Sequence, residues 1–218
     1  MLTSIEQAIL EEMLGRRPDL GACVTPLLEV HRVLVGAYQS GGTLYTCGNG
    51  GSAADAMHIV GELCKSFERK RPLEPGFARA LASEPLGAEL AAHLEAGLRA
   101  CTLGLNTALK TAVENDSPLR DMAFAQELNA LVRGGDVLLA ISTSGNAVNC
   151  RLAMAVAKAS GATAVALTGP KGGAMAESGD IVIRAPGDST KVVQEAHAAL
   201  WHTLCLLVEA HFFPEMRT

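Results

Sequence analysis

The sequence predicts an α/β fold: a three-layer domain with one parallel sheet between helices and two helices ahead of it. Three observations point there. Short β-rich apolar runs alternate with helical patterns along the chain. Two of those runs end in small polar loops that open directly into a helix. Ala, Gly and Leu abound while aromatic residues make up only 4%, which suits helices packed closely on a sheet better than a β-sandwich.

Residues 3–15 and 25–40 read as helices. Leu27, Val30 and Leu34 recur at helical spacing, and Gly41-Gly42 stops the second helix. Thr43–Cys47 is a β-rich run ending in Gly48-Asn49-Gly50-Gly51-Ser52, and a helix follows from about Ala53 to Phe67. Pro72, Pro75 and Pro85 break the next stretch, after which 87–100 reads as an amphipathic helix. A weak strand over 101–105, helices over 107–114 and 117–132, and a stop at Gly134-Gly135 come next. Asp136–Ile141 reads as a buried strand and Ser142-Thr143-Ser144-Gly145-Asn146 as a polar loop. Helix 147–160, strand 163–168, a Gly-rich loop, strand 180–185 and a last helix from Ser189 to Ala210 complete the chain, read as a single domain over 1–218.

The bulk chemistry narrows the function. A formal charge of −5 and no basic run exclude long-range attraction to nucleic acid or an acidic membrane surface. Hydrophobic content of 49% against 19% charged residues leads us to expect surface covered by copies of the same chain. The six cysteines form no CxxC pair and read as reduced, mostly buried thiols. The first residues lack a basic, signal-like segment, and no apolar run is read as approaching the ~20 residues that span a bilayer. The expectation is a cytoplasmic protein with no membrane partner.

Two loops and two helices carry the candidate chemistry. Glycines after a strand let the backbone approach a ligand, and the helix behind them offers free N–H groups, so Asn49, Gly50, Gly51 and Ser52 form one candidate anion cradle. Ser142, Thr143 and Ser144 set three hydroxyls in a row after an apolar strand, which is costly unless a partner such as phosphate accepts from them. An N-cap with spare hydroxyls is the plainer alternative. Neither loop is a nucleotide P-loop or a dinucleotide-binding turn. The helix after the first loop is apolar nearly all round and is expected to be buried, yet Asp55, His58 and Glu62 share one stripe. His58 and Glu62, four apart, can aim at one point, as a metal site, an acid–base pair or an ion pair between helices requires. In the last helix Gln194 and His202 fall off the apolar stripe and by themselves read as solvent-facing.

Together, the blocks CGNGGSAADAMHIVGEL (Cys47–Leu63), GDVLLAISTSGNAVN (Gly135–Asn149), ALTGPKGGAMAESGDIVIRAP (Ala166–Pro186) and VQEAHAALWH (Val193–His202) resemble the sedoheptulose-7-phosphate (phosphoheptose) isomerase family of SIS proteins. The resemblance implies a five-stranded parallel sheet, a homotetramer with active sites shared between subunits, and aldose–ketose isomerisation of a phosphorylated seven-carbon sugar through an enediol. It implies one divalent metal per subunit, zinc, held by His58, Glu62, Gln194 and His202, with Glu62 as base and His202 as acid. Substrate contacts are expected from Asn49, Gly50, Gly51, Ser52, Asp55, Asn106, Ser142, Thr143, Ser144, Asn146 and Gln194. Three departures bear on the substrate: Ala147 where the family carries a serine, Asn106 where many relatives carry aspartate, and an extra stretch at about 73–100. They leave room for another phosphosugar. A non-catalytic, protein-binding SIS scaffold is the rival, disfavoured because Glu62 and His202 are both present.

Overall fold

The computed structural model describes residues 2–215. Five strands, β1 (Leu44–Gly48), β2 (Ala100–Thr102), β3 (Val137–Ser142), β4 (Thr163–Thr168) and β5 (Ile181–Arg184), form one all-parallel sheet in the order β2-β1-β3-β4-β5. The fold class is the one the sequence predicts. Register is continuous across the centre, with Leu44 opposite Val137 and Val137 opposite Thr163.

Both sheet faces are covered, so the central strands are buried along almost their whole length and the period-2 alternation divides their apolar residues between two cores. Leu44, Leu139, Ile141, Val165 and Leu167 face α1 (Ser4–Arg16), α2 (Val24–Gln39), α3 (Gly51–Cys64) and α10 (Thr190–Phe212). Tyr45, Cys47, Leu138, Ala140 and Ala166 face α7 (Ala123–Leu131), α8 (Val148–Ala159) and the short α9 (Met175–Ser178). The chain leaves β1 toward β2 and then crosses to β3 on the other side of β1. The carboxyl ends of β1 and β3 therefore open the crevice where parallel α/β sheets bind ligands.

Several expectations are corrected. The helix read over 87–100 ends early, as α5 (Gly87–His93) followed by Leu94 in β conformation, and a further helix, α4 (Pro75–Ala82), forms in the stretch read as broken by prolines. Glu74 caps α4 by accepting from the Gly76 and Phe77 amides, with Pro75 at the first helical position, where proline is tolerated. The helix read from 117 begins only at Ala123, because Pro118 and the left-handed Asp121 occupy the turn after α6 (Thr107–Asp116). Pro18–Gln39, a 3-10 segment running into α2, is 22 residues at mean hydropathy 1.3, so one helical stretch is long and apolar enough to span a bilayer. Its Leu20, Leu27, Val30 and Leu34 are fully buried in the first core, the ordinary place of a core helix. The cysteines are free, with Cys64 exposed and Cys101 half-buried.

α3 is not buried all round. Ala56, Ile59 and Leu63 pack inward, but Met57 is 44% exposed and Gly61 and Cys64 are also exposed. That bare side also carries His58, whose side chain is 53% exposed, and no described residue covers it.

Candidate active site

α3 and α10 run side by side, and that seam brings together four of the residues singled out from sequence. Gly51 opens α3 against the Gln194 carboxamide, so closely that a Cβ there would collide with it. Two turns further along both helices, the His58 and His202 rings meet edge to face, with centroids 5.3 Å apart. His58 Nε2 lies 2.9 Å from Glu62 Oε1, one helical turn on. Gln194 and His202 are half-buried in this seam, not turned to solvent. The single-stripe reading failed because α10 is enclosed on several sides, by the sheet, α1, α2 and α3 together.

The aromatic surround fixes His202. Trp201 lies against it at 3.7 Å between centroids, and Phe67 stacks on it at 5.8 Å. Burial pushes the His202 imidazole down from its ordinary pKa, with the nearby His58 acting in the same direction and Glu62 opposing. It is therefore neutral at pH 7, an N–H donor rather than a cation. Asp55, on the same helix, is raised by burial, with Trp201 and His58 pulling the other way. Glu62 Oε2 is buried without a hydrogen bond; its nearest cation is Lys65 Nζ, 3.6 Å away and largely exposed.

The metal-binding arrangement implied by the resemblance is only partly assembled. His58, Glu62 and His202 converge and offer donors of the zinc type, and the orphaned Glu62 oxygen is the kind of atom a cation would satisfy. Gln194 sits with Gly51, two turns away from His202 along α10. Among the described residues, the one group whose ligand atoms all lie within 4.8 Å of one another is a different one: Glu6, His31 and His211.

Gly50 has φ 55° and ψ −122°, a conformation open to glycine alone, and it starts α3 at the mouth of the crevice. Ser52 is buried in the first turn. The Asn49 and Asn149 carboxamides exchange two hydrogen bonds, 2.9 and 2.8 Å, tying the loop after β1 to the start of α8. Ser144 Oγ accepts from the Asn146 amide, and the Asn146 carboxamide oxygen accepts from the Ala174 amide, so Asn146 braces the loop. Asn106 caps α6 by accepting from the Leu109 amide.

A cleft of about 490 Å³ lies beside Thr143 and Ser144, walled on its far side by the loop after β4 and the first turn of α10. Lys171, Ser189 and Thr190 line it, and no sequence pattern had singled them out. The signal was present in Gly169-Pro170-Lys171-Gly172, a third polar loop directly after a buried strand. Ser189 stands at the N-cap of α10 with a hydroxyl that makes no capping bond. A lysine, hydroxyls and a helix N-terminus thus meet on one cleft, with the Asp188 carboxylate among them.

Two SIS-domain family models match, over residues 24–100 and 119–209. The phosphoheptose isomerase of Thiobacillus denitrificans is 40% identical over 196 residues, 88% of this chain and 87% of that protein. That of Rhodospirillum rubrum is 38% identical over 190 residues, 87% of this chain and 88% of that protein. The chain belongs to the phosphoheptose isomerase family. Solved structures agree. The Neisseria gonorrhoeae phosphoheptose isomerase superposes with a TM-score of 0.71 at 29% identity, over 94% of this chain and 96% of that one. The Francisella tularensis family member gives 0.72 at 27%, over 95% and 98%.

Proposed function

We propose that the chain is an aldose–ketose isomerase that interconverts sedoheptulose 7-phosphate and D-glycero-D-manno-heptose 7-phosphate. The observation that carries this is the meeting of Glu62, His58 and His202 in the α3–α10 seam, on the same helix that opens the anion cleft. The phosphate is held by Thr143, Ser144, Lys171 and Ser189, which spends binding energy far from the reacting carbons to position them. Glu62 takes the proton from C1 of the open-chain ketose, giving an enediol, and returns it to C2. The neutral His202 imidazole donates its N–H to the sugar oxygen where negative charge develops and moves that proton between O1 and O2.

The remaining expectations enter the proposal as follows. A divalent ion, zinc, would be held by His58, Glu62 and His202, with Gln194, the fourth expected ligand, set against Gly51; when bound it would supply a Lewis acid for the sugar oxygens. The enzyme works in the cytoplasm as a homotetramer with shared active sites. The bare face of α3 and the exposed Met57, Leu105 and Val148 support a neighbouring copy there. Segment 73–100, with exposed Phe77, Leu86 and Leu90, is an elaboration of the family fold on the same chain.

The test is an isomerisation assay over a panel of ketose phosphates, with Glu62→Gln beside the wild type. We expect turnover of sedoheptulose 7-phosphate, and a loss of at least about 10²-fold in Glu62→Gln at unchanged melting temperature. Near-wild-type rates in the variant would remove Glu62 as the base. A wild-type protein that binds these sugars without turnover would be a scaffold.

A further inference from the structure

We infer that Glu6, His31 and His211 form a second divalent-cation site, of the zinc type, that fastens the N-terminal helix to α2 and to the end of α10. It lies outside the α3–α10 seam and does not depend on the isomerase reading.

The arrangement begins with a helix cap. Thr3 and Glu6 form a capping box in which Glu6 Oε2 accepts from the Thr3 amide at 2.7 Å and from its hydroxyl at 3.1 Å. That fixes the carboxylate and leaves Oε1 aimed inward. Oε1 lies 3.5 Å from His31 Nε2 and 3.5 Å from His211 Nδ1. Glu6 is 3% exposed and His31 6%, and both Glu6 Oε1 and His31 Nε2 are buried with no hydrogen-bond partner. Among the described residues no lysine or arginine lies within ion-pair distance of Glu6.

Two facts decide between a proton and a metal ion. Charge-assisted N–H···O bonds close to about 2.7–2.9 Å, and both contacts here are well beyond that. Two donors about 2.0–2.2 Å from one ion at a tetrahedral angle stand about 3.3–3.6 Å apart, which is the separation seen. His31 Nε2, buried without a hydrogen-bond partner and 3.5 Å from Glu6 Oε1, can present its lone pair to an ion between them. The His211 side chain is one-third exposed, which gives an ion an entry path and leaves a position for water. One carboxylate and two imidazoles form a zinc-type donor set.

The experiment measures zinc content and melting temperature of untagged protein, loaded with zinc and dialysed against metal-free buffer. It compares wild type, His58→Ala, His211→Ala and Glu6→Gln. We expect His211→Ala to hold one equivalent fewer than wild type and His58→Ala to keep that equivalent. Chelator should lower the melting temperature of wild type and His58→Ala by several degrees and that of His211→Ala by less than wild type. His211 sits at the surface, so its variant reports even if Glu6→Gln does not fold. Equal zinc content in wild type and His211→Ala, or an equal response to chelator, overturns the site. Failure of a metal at the seam would show instead as His58→Ala matching wild type.

Discussion

Replacing Glu209 with alanine should destabilise the protein more than any other single surface-remote change, and the structure allows the loss to be worked out. Glu209 and Arg71 form an ion pair at 2.8 Å with both side chains fully buried. The same carboxylate accepts from the Phe67 amide at 2.7 Å and the Glu68 amide at 2.9 Å. Arg71 in turn donates to the carbonyls of Leu63 and Glu62 at the end of α3. Glu209→Ala leaves a guanidinium buried without its counter-charge, which costs about 3–5 kcal/mol. For a chain of this length about 2–4 °C is lost per kcal/mol, so the melting temperature should fall by about 6–20 °C. Many buried pairs can be replaced by apolar residues at little cost. This one cannot, because Arg71→Met/Glu209→Leu would strand two amides and two carbonyls, at about 1–3 kcal/mol for each that stays dry. Thermal melts by circular dichroism on the two single variants and the double decide the matter. A Glu209→Ala melting temperature within 2–3 °C of wild type, or full recovery in the double, would refute the reasoning. Because Arg71 also holds the Glu62 carbonyl, turnover at a temperature where Glu209→Ala is still folded should fall too.

Gly51→Ala should keep the fold, since alanine favours a helical first turn, but its methyl displaces the Gln194 carboxamide. Turnover should drop by about 10–100-fold with little change in melting temperature; unchanged kinetics would detach Gln194 from the site. His197 is fully buried, with Nε2 at 3.1 Å from the Thr168 carbonyl; burial holds its pKa below the ordinary value while the carbonyl opposes. The unfolded chain then binds a proton that the folded one refuses, so stability is complete above about pH 6.5 and declines as pH falls below it. Melting temperature measured from pH 7.5 to 5 should fall, and fall less steeply in His197→Gln; identical slopes would count against the assignment.

Much of this was legible because the signals are local. The central strands are continuous apolar runs, and His58 and Glu62 announce themselves by lying one turn apart in an apolar helix. What escaped is non-local. Lys171 and Ser189 meet Thr143 only because three strand-to-helix loops gather at one end of the sheet. Asn149 is unremarkable until Asn49 is placed opposite it. Glu6, His31 and His211 are spread over almost the whole chain, and each alone is an ordinary polar residue on a helix. The helical stripe on α10 misled because several elements cover it, and the stripe on α3 misled because its bare side has no cover among the described residues. A hydrophobic pattern records that a surface is to be covered, and says nothing about which copy of the chain covers it.

The seam also explains why the two recognisable ends of the site must be coupled. α10 begins in the cleft with Ser189, Thr190 and Val193, passes Gln194 against Gly51, and reaches His202 two turns later. At 1.5 Å per residue, Val193 to His202 is ~13 Å, and Gly51 to His58 on α3 is ~10 Å. In the proposed reaction the anion would sit at the helix N-terminus, where the dipole favours it, and proton transfer at His202, against which Trp201 and Phe67 pack. One rigid helix sets the spacing between them. A sugar phosphate long enough to span that spacing is held at both ends, whereas a shorter one can satisfy either the cleft or His202. On the proposed function, chain length would be selected by the rise of α10, an element separate from Ala147 and Asn106, which cap α8 and α6.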